Sequence, residues 1–452
     1  MIVRRLKSVR GRIALPPDRL QAAMSAILAA LAEGRSTISP WPGHGDFVRA
    51  LKWLELAKVP FLLVDDKLSV DGRGIFVPAS PDDAVPVGTS AEAHLLCAAW
   101  FTALPGRAVR FRGRAVRLRR LQSELEALGG LECSADGDDL LVERTQEAGD
   151  LDETFERCAP AGRSARFLVA MLNCRKASRR EPVASQETFF NALRTFGAPL
   201  ETSVVGTQTL TDLQRRAMRR GKFRPERHVT WTLPAEVRLR PAEVELFADP
   251  SLAAFLVLLA SLLPVSEIEI EQVALTPSRC GIFAALSRYG AALRRTRERE
   301  RCNESGATVA VSTARRFDCG KSGSVRFAAD QTACVGEDLP LLMAAAAFVD
   351  GESVFRTGGW RERNDERRSL LLENLRACSA DVGEFDGGIV VRGREAPDPG
   401  SFSSDGDAPG ALACAAIACM TAGQSDLDDR TLDALEELWP GWHSTLEGTN
   451  DG

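Results

Sequence analysis

Two kinds of helical segment alternate along this chain, and they differ in where their polar residues fall. Segments of the first kind have no polar face. "AILAALAEGRSTISPW", "LLCAAWFTALPGRAVRFRG", "AAFLVLLASLLPVSEIEIEQV", "LLMAAAAFVDGESVFRTGG" and "ALACAAIACMTAGQSDLDD" each run as an Ala-rich apolar stretch, stop at Gly or Pro, and continue into a short β-prone stretch. Segments of the second kind, such as "LQSELEALGGLECSADGDDLLVERT" and "LLENLRACSADVGEFDGGIVVRG", carry apolar residues at helical spacing and lead into a strand pair with a polar turn. A helix without a polar face must be covered on all sides, whereas one with a single apolar stripe lies over a sheet with its other side in water. "ADGDD" and "FDGG" supply hairpin turn chemistry. The alternation predicts a repeated βαβαββ unit with apolar helices inside and sheets around them. About six such units fit the length, three in each half. A solenoid of similar period is the competing arrangement, but a strict solenoid does not alternate buried and amphipathic helices.

Composition narrows the function classes. The chain has 452 residues, 44% hydrophobic and 26% charged, which is a folded protein long enough for two sizeable domains. A net charge of -5 and a pI near 5.7 argue against a general nucleic-acid binder. Two local basic runs, Arg107 to Arg120 and Gln214 to His228, read as solvated faces ahead of an anion site. The eleven cysteines are scattered without a CxxC pair and the four histidines lie far apart, so neither a metal nor a cofactor is expected. The basic opening segment has no apolar core, and "SLAAFLVLLASLLPV" is too short to span a bilayer. The expectation is a cytoplasmic chain with reduced thiols and no membrane partner.

Several strings, in order, resemble the enolpyruvyl transferase family, specifically its 5-enolpyruvylshikimate-3-phosphate (EPSP) synthases. "AALAEGRSTI" is similar to the family's first buried helix and strand, and "FADPSLAAFLVLLASLLP" to the stretch where the chain crosses back into its first domain, with Asp249 at the family's aspartate. "VALTPSRCGIFAALSRYGA" resembles the N-P-T-R-x-G-I string with Thr276 in place of Asn, "EDLPLLMAAAAFVDG" the D-E-I-P segment, and "ELWPGW" the terminal S-F-P-x-F. The resemblance implies a two-domain inside-out α/β barrel of six βαβαββ repeats. One lobe would be residues 16–244, the other residues 1–15 together with 245–452, with substrates bound in the cleft between them.

The family's chemistry carries over less well than its fold. Where the family has K-S followed by an arginine, "PPDRLQAAM" places Arg19, Leu20 and Met24. The G-N-A-G-T-x-x-R loop reads "GTSAEAHL", with Glu92 for the threonine and Leu95 for the arginine. S-S-Q becomes Ser164, Ala165, Arg166; D-H-R becomes Asp407, Ala408, Pro409; the lysine before F-P becomes Glu437. The family's L-R-x-K-E-S-D-R aligns with "WRERNDER". Arg361 and Arg367 then match its arginines, while Arg363 replaces the catalytic lysine and Asn364 the catalytic glutamate. An arginine does not deprotonate at neutral pH and an amide does not transfer protons. The loop thus keeps cationic character and loses its acid–base pair; a mixed-charge helix start is the alternative reading of this string.

The resemblance implies Glu337, at the family's general-base aspartate, and the new carboxylate Glu92 as candidate catalytic groups. Arg19, Arg166, Asp249, Arg363, Asn364 and Arg367 are the candidate substrate-binding residues, and Arg19, Arg363 and Arg367 are expected to converge on one anion. Asp46 and Asp338 read as turn or cap residues, and His94 as a satisfied core histidine. The expected function is that of a repurposed family member doing acid–base chemistry on a small anionic molecule. A non-catalytic binding relative and an authentic carboxyvinyl transferase are the alternatives.

Overall fold

The computed structural model describes residues 1–147, 149–153, 160–182, 188–205, 228–313, 317, 323–357, 365–394 and 396–450. In the first part of the chain, α1 (Arg19–Leu31), α2 (Gly45–Leu56), α3 (Ala91–Phe101), α4 (Ala115–Leu128), α5 (Pro160–Leu172) and α6 (Thr188–Thr195) follow one another between strands. The second part adds α7 (Pro250–Leu262), α8 (Gly281–Tyr289), α9 (Ala329–Val335), α10 (Leu339–Ala346), α11 (Asp365–Ala377), α12 (Ala408–Met420), α13 (Asp429–Leu438) and α14 (Trp442–Asn450).

The two sequence patterns become two environments. Every residue of α1 is buried, as is α7 from Pro250 to Ser261, and α12 is covered except at Gly410. In contrast, α2 buries only Asp46, Phe47, Ala50, Trp53 and Leu54, which recur at helical spacing and form one stripe. The apolar helices pack on one another, α3 against α5 and α10 against α12. Their small Ala side chains let the backbones approach closely at the centre of each half.

Among the described residues, six sheets surround these helices, five of four strands and one of three. The unit between Val85 and Arg144 shows the plan. Val85–Pro86 runs parallel to Ala108–Arg112, which pairs antiparallel with Asp139–Arg144, which pairs antiparallel with Leu131–Asp136. The parallel step requires a crossover, and α3 supplies it; the antiparallel step is the hairpin that closes at Gly137, where φ is +63°. The same order recurs in the other four-stranded sheets, so the expected βαβαββ unit is what the chain builds.

Two hydrophobic clusters result. One draws its residues from Leu20 to Leu246, the other from Val3 to Ile13 and again from Leu252 to Leu446. Each half is completed by a strand from elsewhere in the chain. Glu243–Glu245 joins Glu33–Ser39 in the first lobe, and Ile2–Arg4 joins Gln424–Leu427 in the second. The two crossings between lobes lie side by side: Asp18 N–H donates to Phe247 O at 2.7 Å and Asp249 N–H to Pro16 O at 3.0 Å.

Candidate active site

Each crossing ends on an aspartate that starts an inner helix. Asp18 caps α1 by accepting from the amides of Leu20 and Gln21, and Asp249 caps α7 by accepting from Ser251 and Leu252. Asp407 does the same for α12 through the amide of Gly410. Short acceptor side chains immediately before an apolar run favour this conformation, and a carboxylate there complements the positive end of the helix dipole.

Every one of these caps also meets an arginine. Arg19 Nη1 lies 3.2 Å from Asp249, Arg279 pairs with Asp18, and Arg367 Nε lies 2.8 Å from Asp407. The first two pairs exchange partners across the crossing, since Arg19 stands next to Asp18 in the chain but reaches the other cap. Glu337, in the 3-10 turn Gly336–Asp338, lies 2.6 Å from Arg120 of α4 in the opposite lobe. Arg120 also approaches Asp407 at 3.7 Å. Burial opposes the charge on Glu337, but Arg120, Arg367 and Arg19 outweigh it and hold the carboxyl below its ordinary range.

Glu92 is in the opposite situation. It lies in the first turn of α3, is buried, and accepts from Ser164 Oγ at 3.1 Å. Burial, joined by the negative charge of Glu337, pushes its carboxyl up to about 7 against the pull of Arg279 and Arg179. Asp338 is likewise raised by burial, to about 6, with a Ser251 hydrogen bond working against the shift.

Asp46 and His94 brace the start of α3. Asp46 accepts from the amides of Thr89 and Ser90, both at 2.9 Å, and from the Thr89 hydroxyl. Burial works against its charge, yet His94, Arg49 and Thr89 together keep it ionised below the usual carboxylate range. His94 Nε2 accepts from Gly88 N–H at 2.6 Å, and burial lowers its pKa to about 4, so the ring is neutral. Both hold the start of α3 through these contacts.

The structure brings Arg19, Glu92, Asp249, Glu337 and Arg367 into one interlobe region, linked through the ion pairs and mutual fields just described. It does not bring Arg166 there. That side chain turns outward along α5 and donates to Ala127 O at 2.9 Å, so the neighbouring Ser164 is the residue of the string that meets Glu92. The reason is helical geometry, since positions two apart on a helix point in different directions. Arg363 and Asn364 lie outside the described residues. The basic run ending at Arg120 is a solvated face only in part: Arg110, Arg112 and Arg119 are exposed, but Arg114, Arg117 and Arg120 reach carboxylates of the other lobe. Sequence reasoning therefore missed Arg120 as a site residue, and also Arg279. The available signals were the density of arginines in "RLRR" and the Arg that ends "TPSR". Leu95, at the family's arginine position, is fully buried. Among the described residues no cluster of His, Cys, Asp or Glu is arranged to hold a metal ion, and no helix is long and apolar enough to cross a membrane.

Comparison with known proteins agrees with this architecture. The family model described as EPSP synthase (3-phosphoshikimate 1-carboxyvinyltransferase) matches residues 224–446. A 3-phosphoshikimate 1-carboxyvinyltransferase of Syntrophomonas wolfei is 25% identical over 440 residues, covering 94% of each chain. One from Sulfurihydrogenibium is 23% identical over 458 residues, covering 98% of each. Residues 224–446 thus match the EPSP synthase family model, and the similarity to enzymes named 3-phosphoshikimate 1-carboxyvinyltransferase extends over nearly the whole chain. Among solved structures, EPSP synthase of Acinetobacter baumannii superimposes with a TM-score of 0.69 at 18% identity, covering 99% of this chain and 97% of that one. The enolpyruvyl transferase NikO of Streptomyces tendae gives 0.65 at 13% identity, covering 99% and 96%. The fold is therefore that of the enolpyruvyl transferases.

Proposed function

We propose that this chain is an EPSP synthase-family enzyme turned to a different small anionic substrate, held between the lobes and processed by acid–base chemistry. An elimination, isomerisation or cyclisation fits, without transfer from phosphoenolpyruvate. The observation that carries the reading is the pair Glu92 and Glu337. Glu92 is buried and Glu337 partly buried, within reach of each other's field, one carboxyl shifted up to about 7 and the other held down by three arginines. Environments that push two like groups apart give one proton donor and one acceptor at the same pH. Glu337 would take a proton from the bound molecule and Glu92 would supply one, while Arg19 and Arg367 face its negative charge. The losses at Met24, Leu95, Pro409 and Glu437 argue against a trianionic ligand, because each missing charge-assisted hydrogen bond weakens binding by roughly 1.5–3 kcal/mol.

A second reading, authentic carboxyvinyl transfer, draws support from the relatives' names and from Arg120, a cation in the site that the aligned motifs do not count. Purified protein mixed with phosphoenolpyruvate and shikimate 3-phosphate separates the two. No phosphate release is expected; stoichiometric release above background would establish the second reading and overturn the first. A carboxylate ligand identified by native mass spectrometry and incubated in deuterated water should exchange a carbon-bound proton with the wild type. Glu337→Gln should bind that ligand without exchange. A ligand that binds but never exchanges or reacts would mark a binding relative.

A further inference from the structure

Although Arg279–Asp18 runs the other way, the lobes are joined by a row of ion pairs of one polarity. The first lobe contributes arginines and the second contributes carboxylates. Arg114 of α4 lies 2.6 Å from Asp433, and Arg117 Nη2 donates to Gly406 O at 3.3 Å. At the centre is Glu437, the last residue but one of α13. Its carboxylate lies 2.9 Å from Arg117 and 3.2 Å from Arg49 of α2. The side chain of Arg117 is only 7% exposed and that of Glu437 22%, so water screens the contact weakly.

The backbone is equally close. His44 Nδ1 sits 3.4 Å from Glu437 O, and a Cβ placed on Gly45 would lie 2.2 Å from the same oxygen. Gly45 has φ +54°, so both its conformation and its missing side chain suit this approach. Arg117 of α4, which is buried, and Arg49 of α2, which is partly buried and also pairs with Asp46 at 3.2 Å, converge as an anion receptor. Here a carboxylate of the same chain fills it.

We propose that Glu437 is a built-in counter-anion. It occupies the Arg49–Arg117 receptor in place of an external anion, holding the lobes shut without ligand and keeping phosphate groups out. Glu437 is thus a specificity-determining residue that acts by occupying charge. The inference is independent of any proton transfer at Glu92 and Glu337.

The test is small-angle X-ray scattering of the ligand-free full chain, paired with calorimetric titration of inorganic phosphate. The wild type should be compact, with the same radius of gyration with or without millimolar phosphate. Glu437→Gln should expand, bind phosphate about tenfold or more tightly than the wild type, and become compact again on binding it. Gly45→Ala keeps the carboxylate but forces the backbones apart; it should expand and phosphate should not reclose it. Glu437→Gln that is as compact as the wild type, with unchanged phosphate affinity, overturns the proposal. If that variant fails to fold, Glu437→Asp, which draws the carboxylate back from both arginines, replaces it. Expansion at constant circular dichroism supports the ionic latch, and an unchanged radius with unchanged phosphate affinity refutes it.

Discussion

Glu92 shows how one side chain couples the site to stability. Its folded-state carboxyl titrates near 7 against an ordinary value of 4.5, because burial and the charge of Glu337 disfavour ionisation. A carboxyl raised in this way binds its proton more tightly folded than unfolded. Its contribution is fully present below the unfolded value and is lost as pH rises through about 7. Glu92→Gln keeps the shape and removes the titration. The variant should match the wild type near pH 3.5 and exceed it at pH 8 by up to about 3 kcal/mol, read from denaturant melts at the two values. Equal stabilities at both would show that Glu92 is not held protonated. Glu337 does not follow this pattern, since Arg120, Arg367 and Arg19 overcome its burial and keep it ionised.

At the scale of elements, the inner helices carry the stability. Leu256 lies at the centre of α7 with no exposed surface, among Ala and Leu neighbours that have little room to collapse. Leu256→Ala should cost about 2–5 kcal/mol in chemical unfolding, the lost transfer energy plus the cavity left behind. Leu62, on the strand Phe61–Val64 and 61% exposed, is the control, and its alanine variant should fall within about 0.5 kcal/mol of the wild type. If the two losses were alike, α7 would not be the all-round buried helix described here. The same burial explains why α7 begins with Asp249 and Pro250. A helix start deep in the protein has to satisfy its free amides internally, and an aspartate cap followed by proline leaves few unpaired.

The whole molecule is two cores joined by paired crossings and a charged interface. Among the described residues the two apolar clusters are separate, and the arginine–carboxylate row crosses between them. Differential scanning calorimetry should show one transition at low ionic strength. At about 0.5 M salt, where screening reaches only a few ångströms, it should split into two. A single transition of unchanged midpoint across the salt series would mean that the backbone crossings alone couple the lobes.

Much of this architecture is legible in the order of the residues. Helices without a polar face can only be inner helices, and Gly-rich polar turns can only join neighbouring strands, so the alternation of "LLMAAAAFVDG" and "LLENLRACSADVGEFDGG" determines the βαβαββ plan locally. Arg19, Glu92, Asp249, Glu337 and Arg367 could be named as candidates because they stand at positions whose neighbours in sequence are recognisable. What they do there could not be named, because charge pairing is a matter of distance and burial between segments hundreds of residues apart. Asp249 neutralises Arg19, Arg120 crosses the interface to Glu337, and the basic run of α4 meets acids that lie beyond residue 330 in the chain. Arg166 failed for a related reason: its chain position was right, but the rotation of α5 turned it away. Hydrophobic periodicity is a local property that survives in one dimension. The sign and strength of a buried electrostatic contact exist only once tertiary structure has excluded water and set the partners a few ångströms apart.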